Sequence, residues 1–343
     1  MSKFKIEFSL KQHTPLIHFQ SDQSGATLRA TELKPKFDRF LLEQVEGIPF
    51  VKNANGSKSL DYKVKIISGQ GTKGLPNKSL YFANNPIKED EDKIKTIMNT
   101  NIKIEFFSYK SEIIDAIKKY FDEFMFITNF GTRQSKGFGS FLRSRITDDE
   151  IKKIIKKQSN KVFLLGTYRD AEYDKALSSI DIFYKKIKMG INKPYYKSLI
   201  FRYMCSNKKV GWEKKFIKNN FPEVIHGEHS PLVCTKPDDR EFNYIRAVLG
   251  LAEHNEFRPN GGKKQVKIKS LDGIDRFKSP LTFKILNGKI YILHDNSYKK
   301  ILDKEFSFSL NRVSKTIKTP KEFDMYQFLK FVEKQENLIS EVN

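Results

Sequence analysis

The stretch Phe130-Gly131-Thr132-Arg133-Gln134-Ser135-Lys136-Gly137-Phe138-Gly139-Ser140-Phe141 sets three glycines, two cations and two serines between a helical pattern and a strand pattern. Glycine lowers the steric barrier to positive φ. At 131, 137 and 139 the backbone can therefore turn tightly and bring its amides, with Arg133 and Lys136, close to an anion. Gln134 and Ser135 complete the candidate set. The competing reading is a tight helix-to-strand connection whose charges face water.

Charge names the anion class. The 343 residues carry 63 Lys+Arg against 41 Asp+Glu, a formal net charge of +22. Such an excess favours polyanions with strong salt dependence, and nucleic acid is the expected partner. No apolar run approaches the ~18 residues of a membrane helix. The opening MSKFKIEFSL alternates polar and apolar residues, unlike a signal peptide. A cytoplasmic protein without a membrane partner is expected. Cys205 and Cys234 are the only cysteines and lack CxxC spacing, so they are read as thiols rather than a disulfide framework or a zinc site. No metal or cofactor is expected.

Outward from the loop, the length fits about two domains, and the order of elements places the cut near residue 160, giving 1–160 and 161–343. In the first part Phe4, Ile6, Phe8 and Leu10 alternate with Lys5, Glu7, Ser9 and Lys11, a strand with one buried face. Leu33, Phe37, Phe40 and Leu41 follow at helical spacing. Strands are predicted at 62–66 and 102–106. A second helix stripe runs through Ile113, Ile117, Phe121 and Phe124 to the glycine loop 131–140 and a strand at 138–142. Strand, helix, strand, strand, helix, strand is the split βαβ, ferredoxin-like order. The stretch 52–86, with Lys52, Lys58, Lys73 and Lys78 among Gly, Asn and Ser, is expected to be a basic insertion, partly mobile.

The second part reads as α+β with more helix. Helices are predicted at 171–188, 241–252 and 321–334. Strands are predicted at 266–268, 281–286 and 290–293, the last two joined by the hairpin signal Asn287-Gly288.

Several stretches then stand out together. His13-Thr14-Pro15-Leu16 is followed by Gly25-Ala26-Thr27-Leu28-Arg29-Ala30-Thr31-Glu32-Leu33-Lys34-Pro35-Lys36-Phe37-Asp38-Arg39-Phe40. The glycine loop comes next, and then Arg246-Ala247-Val248-Leu249-Gly250-Leu251 and Arg276-Phe277-Lys278-Ser279-Pro280-Leu281. With these stretches the chain resembles the RAMP superfamily of CRISPR-associated proteins, most of all the first subunit of the Cmr (type III-B) effector complex. The resemblance implies an α+β fold of two ferredoxin-like (RRM-like) domains, the second more elaborated. It implies a non-catalytic subunit that holds the crRNA near its 3′ end and the guide-target duplex, beside other RAMP subunits. Such binding is independent of sequence, because backbone contacts carry no base information.

The RNA-contact candidates are Arg29, Lys34, Lys36 and Arg39 at the first helix, and Gly131, Arg133, Gln134, Ser135, Lys136, Gly137 and Gly139 in the loop. Arg246, Arg276 and Lys278 are the candidates in the second part. In a ferredoxin-like sheet the helix entry and the loop can converge. The rival class is a RAMP-family ribonuclease. His13 or His18 would serve a guide-processing enzyme as acid or base, and Asp22 a metal-dependent target cutter. Against these stand a hydrogen-bonded structural histidine and a solvated turn aspartate, and the chain is read as non-catalytic.

Overall fold

The structure, a computed structural model, describes residues 3–17, 27–54, 56–69, 71–73, 96–158, 160–208, 210–224, 241–259 and 262–342. The period-2 pattern near the N-terminus forms β1 (Lys5–Gln12), in which Lys5, Glu7, Ser9 and Lys11 are exposed and Leu10 is buried. The helical spacing around Phe37 forms α1 (Ala30–Gln44), which continues through Pro35. Then come β2 (Lys63–Ile67), β3 (Ile102–Phe107), α2 (Ser111–Ile127) and β4 (Phe141–Arg143). The sheet runs β2-β3-β1-β4, and every pairing is antiparallel.

Phenylalanines fasten both helices to this sheet. Phe8 of β1 stacks on Phe121 of α2 at 4.2 Å between centroids, and Phe37 of α1 stacks on Phe124 of α2 at 4.6 Å. Phe37, Phe106, Phe121 and Phe124 are fully or almost fully buried. Each such ring contributes about 1.5–3 kcal/mol by leaving water. The opposite face of the sheet stays polar, with Lys5, Lys11, Lys63, Lys65 and Lys103 exposed.

A second sheet runs in the order Leu281–Leu286, Lys289–His294, Phe163–Thr167, Ser340–Glu341. Its hairpin turns at Asn287 (φ 46) and Gly288 (φ 74), the two positive values that a type I′ turn needs. A Cβ on Gly288 would lie 2.0 Å from the carbonyl oxygen of Tyr168, so the close approach also demands glycine.

The chain divides into two compact units. The first comprises Met1–Asp181, Thr282–Leu293 and Ile339–Asn343, and the second comprises Ile182–Leu281 and His294–Leu338. A cut at 160 assumes a single crossing, whereas the chain passes between units several times, and Phe163–Thr167 pairs with Lys289–His294 and Ser340–Glu341. The second unit holds a six-stranded sheet whose core strands are Lys264–Ser270, Glu305–Leu310 and Val313–Lys318, with helices Leu199–Lys208, Glu213–Asn220 and Met325–Glu336.

Two expectations change. The helix predicted at 241–252 is a short strand, Phe242–Asn243, and a 3-10 turn, Ile245–Leu249, ending at Gly250 with φ 110. All five residues of that turn are buried, so it has no polar face of the kind a surface helix presents. Cys205 is disulfide-bonded rather than a thiol. The other cysteine, Cys234, lies outside the described residues. Within 52–86, Lys58–Leu60 pairs with Phe50–Lys52 as a hairpin. Lys78 and the stretch 74–86 lie outside the described residues.

Candidate nucleic-acid interface

The first basic motif and the glycine loop meet directly. Thr14 donates its hydroxyl to the Gly137 carbonyl at 2.6 Å and accepts the Ser140 amide at 2.9 Å. The Gly139 amide donates to the Pro15 carbonyl at 2.9 Å, and the Thr132 amide to that of Ile17 at 2.8 Å. From α1, the Glu32 carboxylate accepts the Gly131 amide at 2.9 and 3.1 Å. Lys36 donates to Glu32 at 2.7 Å, to the Gln134 side chain at 2.9 Å and to the Asn129 carbonyl at 3.2 Å. Of the predicted cations at the helix entry, Lys36 is the one these bonds join to the loop.

The loop is also clamped from behind. The Phe283 amide donates to the Ser135 carbonyl at 3.2 Å, and Asn129 donates to the carbonyls of Gln134 and Phe283 at 2.7 and 2.8 Å. Lys284 is fully buried, and its ammonium donates to the carbonyls of Thr128 at 2.7 Å and Phe141 at 3.1 Å. Burial holds its pKa well below the usual lysine value. No periodicity or motif marks Lys284 or Asn129, and Glu32 lies in the quoted 25–40 stretch with no role assigned to it, so sequence reasoning missed all three.

This geometry changes what the glycines do. A Cβ on Gly139 would sit 1.9 Å from the Phe130 carbonyl oxygen, and one on Gly131 2.6 Å from that of Ile17. Both glycines are needed for close packing. The amides of 130, 131, 132, 136, 139 and 140 all donate within the protein, so these six are already engaged. Residues 136–140 are buried, Lys136 among them at 8% exposure, while 131–135 reach the surface. Arg133 adopts φ 57, a left-handed conformation uncommon for a non-glycine residue, and burial lowers its guanidinium pKa.

Along α1, Arg29 is the half-buried N-cap residue and Arg39 is exposed. Lys34 bonds Asp38 at 2.9 Å and the Leu60 carbonyl at 2.7 Å, and its ammonium lies 3.9 Å from the Tyr62 ring centroid. That set of partners fits a structural tie better than a phosphate contact.

In the second unit Arg246 turns inward. It is 4% exposed, its Nε donates to the fully buried Glu213, and its Nη2 donates to Asn255 at 2.8 Å. Glu213 also accepts the Ile245 amide at 3.1 Å. Arg246 thus organises the 3-10 turn rather than a surface. Lys188 and Lys214 lie near this pair, and burial, then the Arg246 charge, pushes each ammonium down to about 7. Arg276 and Lys278 are exposed and line a cleft.

Of the acid–base candidates, His18 and Asp22 lie outside the described residues. His13 is 4% exposed, its Nδ1 accepts the Asn287 amide at 3.3 Å, and Asp170 lies 3.6 Å away. Burial, then the Lys11 charge, lowers its pKa to about 4. It is a neutral hydrogen-bonded imidazole at neutral pH. Among the described residues no group of acids, histidines and cysteines is placed to hold a metal ion, and no helix is long and apolar enough to cross a membrane.

Comparison with curated proteins gives no significant match. Family models match in two adjoining segments, the Cmr1 N-terminal domain over residues 3–191 and the Cmr1 C-terminal domain over residues 195–343. Together they span nearly the whole sequence, and the chain belongs to the Cmr1 family, the RAMP-type subunit of type III-B CRISPR Cmr complexes.

Proposed function

We propose that this chain is the non-catalytic RNA-binding subunit of its Cmr complex, working in the cytoplasm and holding the 3′ region of the crRNA and the guide-target duplex by backbone contacts. The carrying observation is the contact of Lys36 with Gln134 and of Glu32 with Gly131. It joins α1, which carries Arg29 and Arg39, to the outer half of the glycine loop, which carries Arg133. Side-chain cations without a base-reading framework suit a guide of any sequence. The order β2-β3-β1-β4 with antiparallel pairings, and both helices packed on one face, supports the ferredoxin-like reading of the first domain. A neutral, buried His13 supports the non-catalytic role.

Co-expression with the other Cmr subunits, pull-down on a tag and sequencing of the retained RNA test the proposal. Short repeat-spacer RNAs together with RAMP subunits are expected, and the His13→Ala complex should cleave target at the wild-type rate. Recovery of the chain alone, or target cleavage lost in His13→Ala while RNA binding persists, would contradict it.

A further inference from the structure

The second unit holds a cleft of about 440 Å³ that the surface on α1 and the loop does not use. Its volume lies within the range of about 300–1,000 Å³ common to small-ligand sites. Ile268, Ile274, Phe277 and Phe306 supply apolar wall, and Phe306 is 1% exposed. Lys269, Arg276 and Lys278 are exposed and carry three positive charges around it. Glu253 and Asp275 also line it.

The walls are set by hydrogen bonds of the protein itself. The Ser270 hydroxyl accepts the amides of Asp272 at 3.2 Å and Ile274 at 3.1 Å, and Asp272 accepts the Glu305 amide at 2.7 Å. The Leu251 amide donates to the Phe277 carbonyl at 3.3 Å, and the Ile268 amide to that of Glu253 at 2.9 Å. The cleft is thus built without a ligand, which limits the ordering cost of binding.

We infer that this cleft receives one unstacked nucleotide of single-stranded RNA, with the base against Phe277 and its apolar neighbours and the adjoining phosphates on Lys269, Arg276 and Lys278. The inference rests on the RNA-binding reading above. Both halves of the chemistry are needed. An apolar wall beside cations matches a base with its phosphates, because an aromatic platform takes any base by stacking while cations track the backbone. Carboxylates in the wall disfavour a phosphate deep in the cleft and can accept an N–H from a base edge. A duplex, whose bases are already stacked, has nothing to insert. The carboxylates of an acidic peptide could meet the cations but bring no planar ring to the apolar wall.

The test is photo-crosslinking of the assembled complex to single-stranded RNA carrying 4-thiouridine, with peptides mapped by mass spectrometry. Crosslinks within 251–253 or 274–278 are expected. Phe277→Ala should weaken single-strand binding by about tenfold and leave duplex binding unchanged. Arg276→Glu, a change at an exposed residue, guards against a folding defect in Phe277→Ala and should also remove the crosslinks. Crosslinks confined to 29–39 and 131–135, with full affinity in both variants, would overturn the inference and leave the RNA-binding reading standing. Failure of the complex to retain any RNA would overturn both. A polyglutamate peptide that shields 274–278 from chemical labelling, with no RNA crosslink there, would overturn the inference in favour of a protein partner.

Discussion

Glu32 on the first turn of α1 accepts the Gly131 amide through both carboxylate oxygens, at 2.9 and 3.1 Å. A negative charge therefore occupies the mouth of the loop that is proposed to meet RNA phosphates, and Lys36 partly neutralises it at 2.7 Å.

Glu32→Gln retains an acceptor for the Gly131 amide and removes the charge. RNA binding should tighten by about threefold to tenfold at low salt, since unit charges a few ångströms apart interact by ~1 kcal/mol in water. Filter binding across a salt series measures this, and unfolding in urea should show a stability loss of only about 1 kcal/mol.

Gly139→Ala would bring a Cβ to within 1.9 Å of the Phe130 carbonyl oxygen at a φ of 63. A loss of more than ~3 kcal/mol, or failure to fold, is expected. Gly273 has a similar φ of 71 and nothing within 4 Å of an added Cβ, so Gly273→Ala should cost only about 1 kcal/mol. Urea midpoints of the two variants separate steric clash from backbone strain.

Glu213→Ala leaves the Arg246 guanidinium buried without its carboxylate, and such losses run at about 3–5 kcal/mol. Arg276→Ala at an exposed position should stay within about 0.5 kcal/mol. Equal losses from the two variants, read by urea unfolding, would remove Arg246 from its structural role.

His13 makes stability depend on pH in a definite direction. Its pKa falls from 6.5 unfolded to about 4 folded, so between these values the unfolded chain binds the extra proton. Stability is complete above 6.5, is lost as pH falls towards 4, and levels off below that. A depression of this size corresponds to about 3 kcal/mol. Burial is its largest cause, the Lys11 and Lys284 charges add to it, and Asp170 opposes it. The difference in stability between wild type and His13→Gln, followed over this window, should show that slope and should be flat above it.

Much of the fold is legible because period carries it. The alternation from Phe4 to Leu10, the stripe from Ile113 to Phe124 and the Asn287-Gly288 turn each depend on neighbours in sequence. Glu305–Leu310 is equally legible, since Phe306, Phe308 and Leu310 are buried in alternation with half-buried residues, yet sequence reasoning missed this strand. The 241–252 stretch misleads because its apolar residues satisfy helical spacing while the turn is buried throughout and Glu213, far off in sequence, takes one of its amides. The site follows the same rule. The convergence of Lys36 with Gln134 follows from fold order, whereas the inward turn of Arg246 and the burial of Lys136 depend on Glu213 and on the strand at Phe283, which no local motif announces.

The salt dependence of RNA binding by the chain carrying both Arg29→Ala and Arg133→Ala tests the central claim most directly. If these cations meet phosphates, the slope of log K against log salt should fall by about one for each arginine removed, with equal weakening across unrelated RNA sequences. An unchanged slope and affinity in a folded double variant would contradict the account and move the RNA surface away from α1 and the glycine loop.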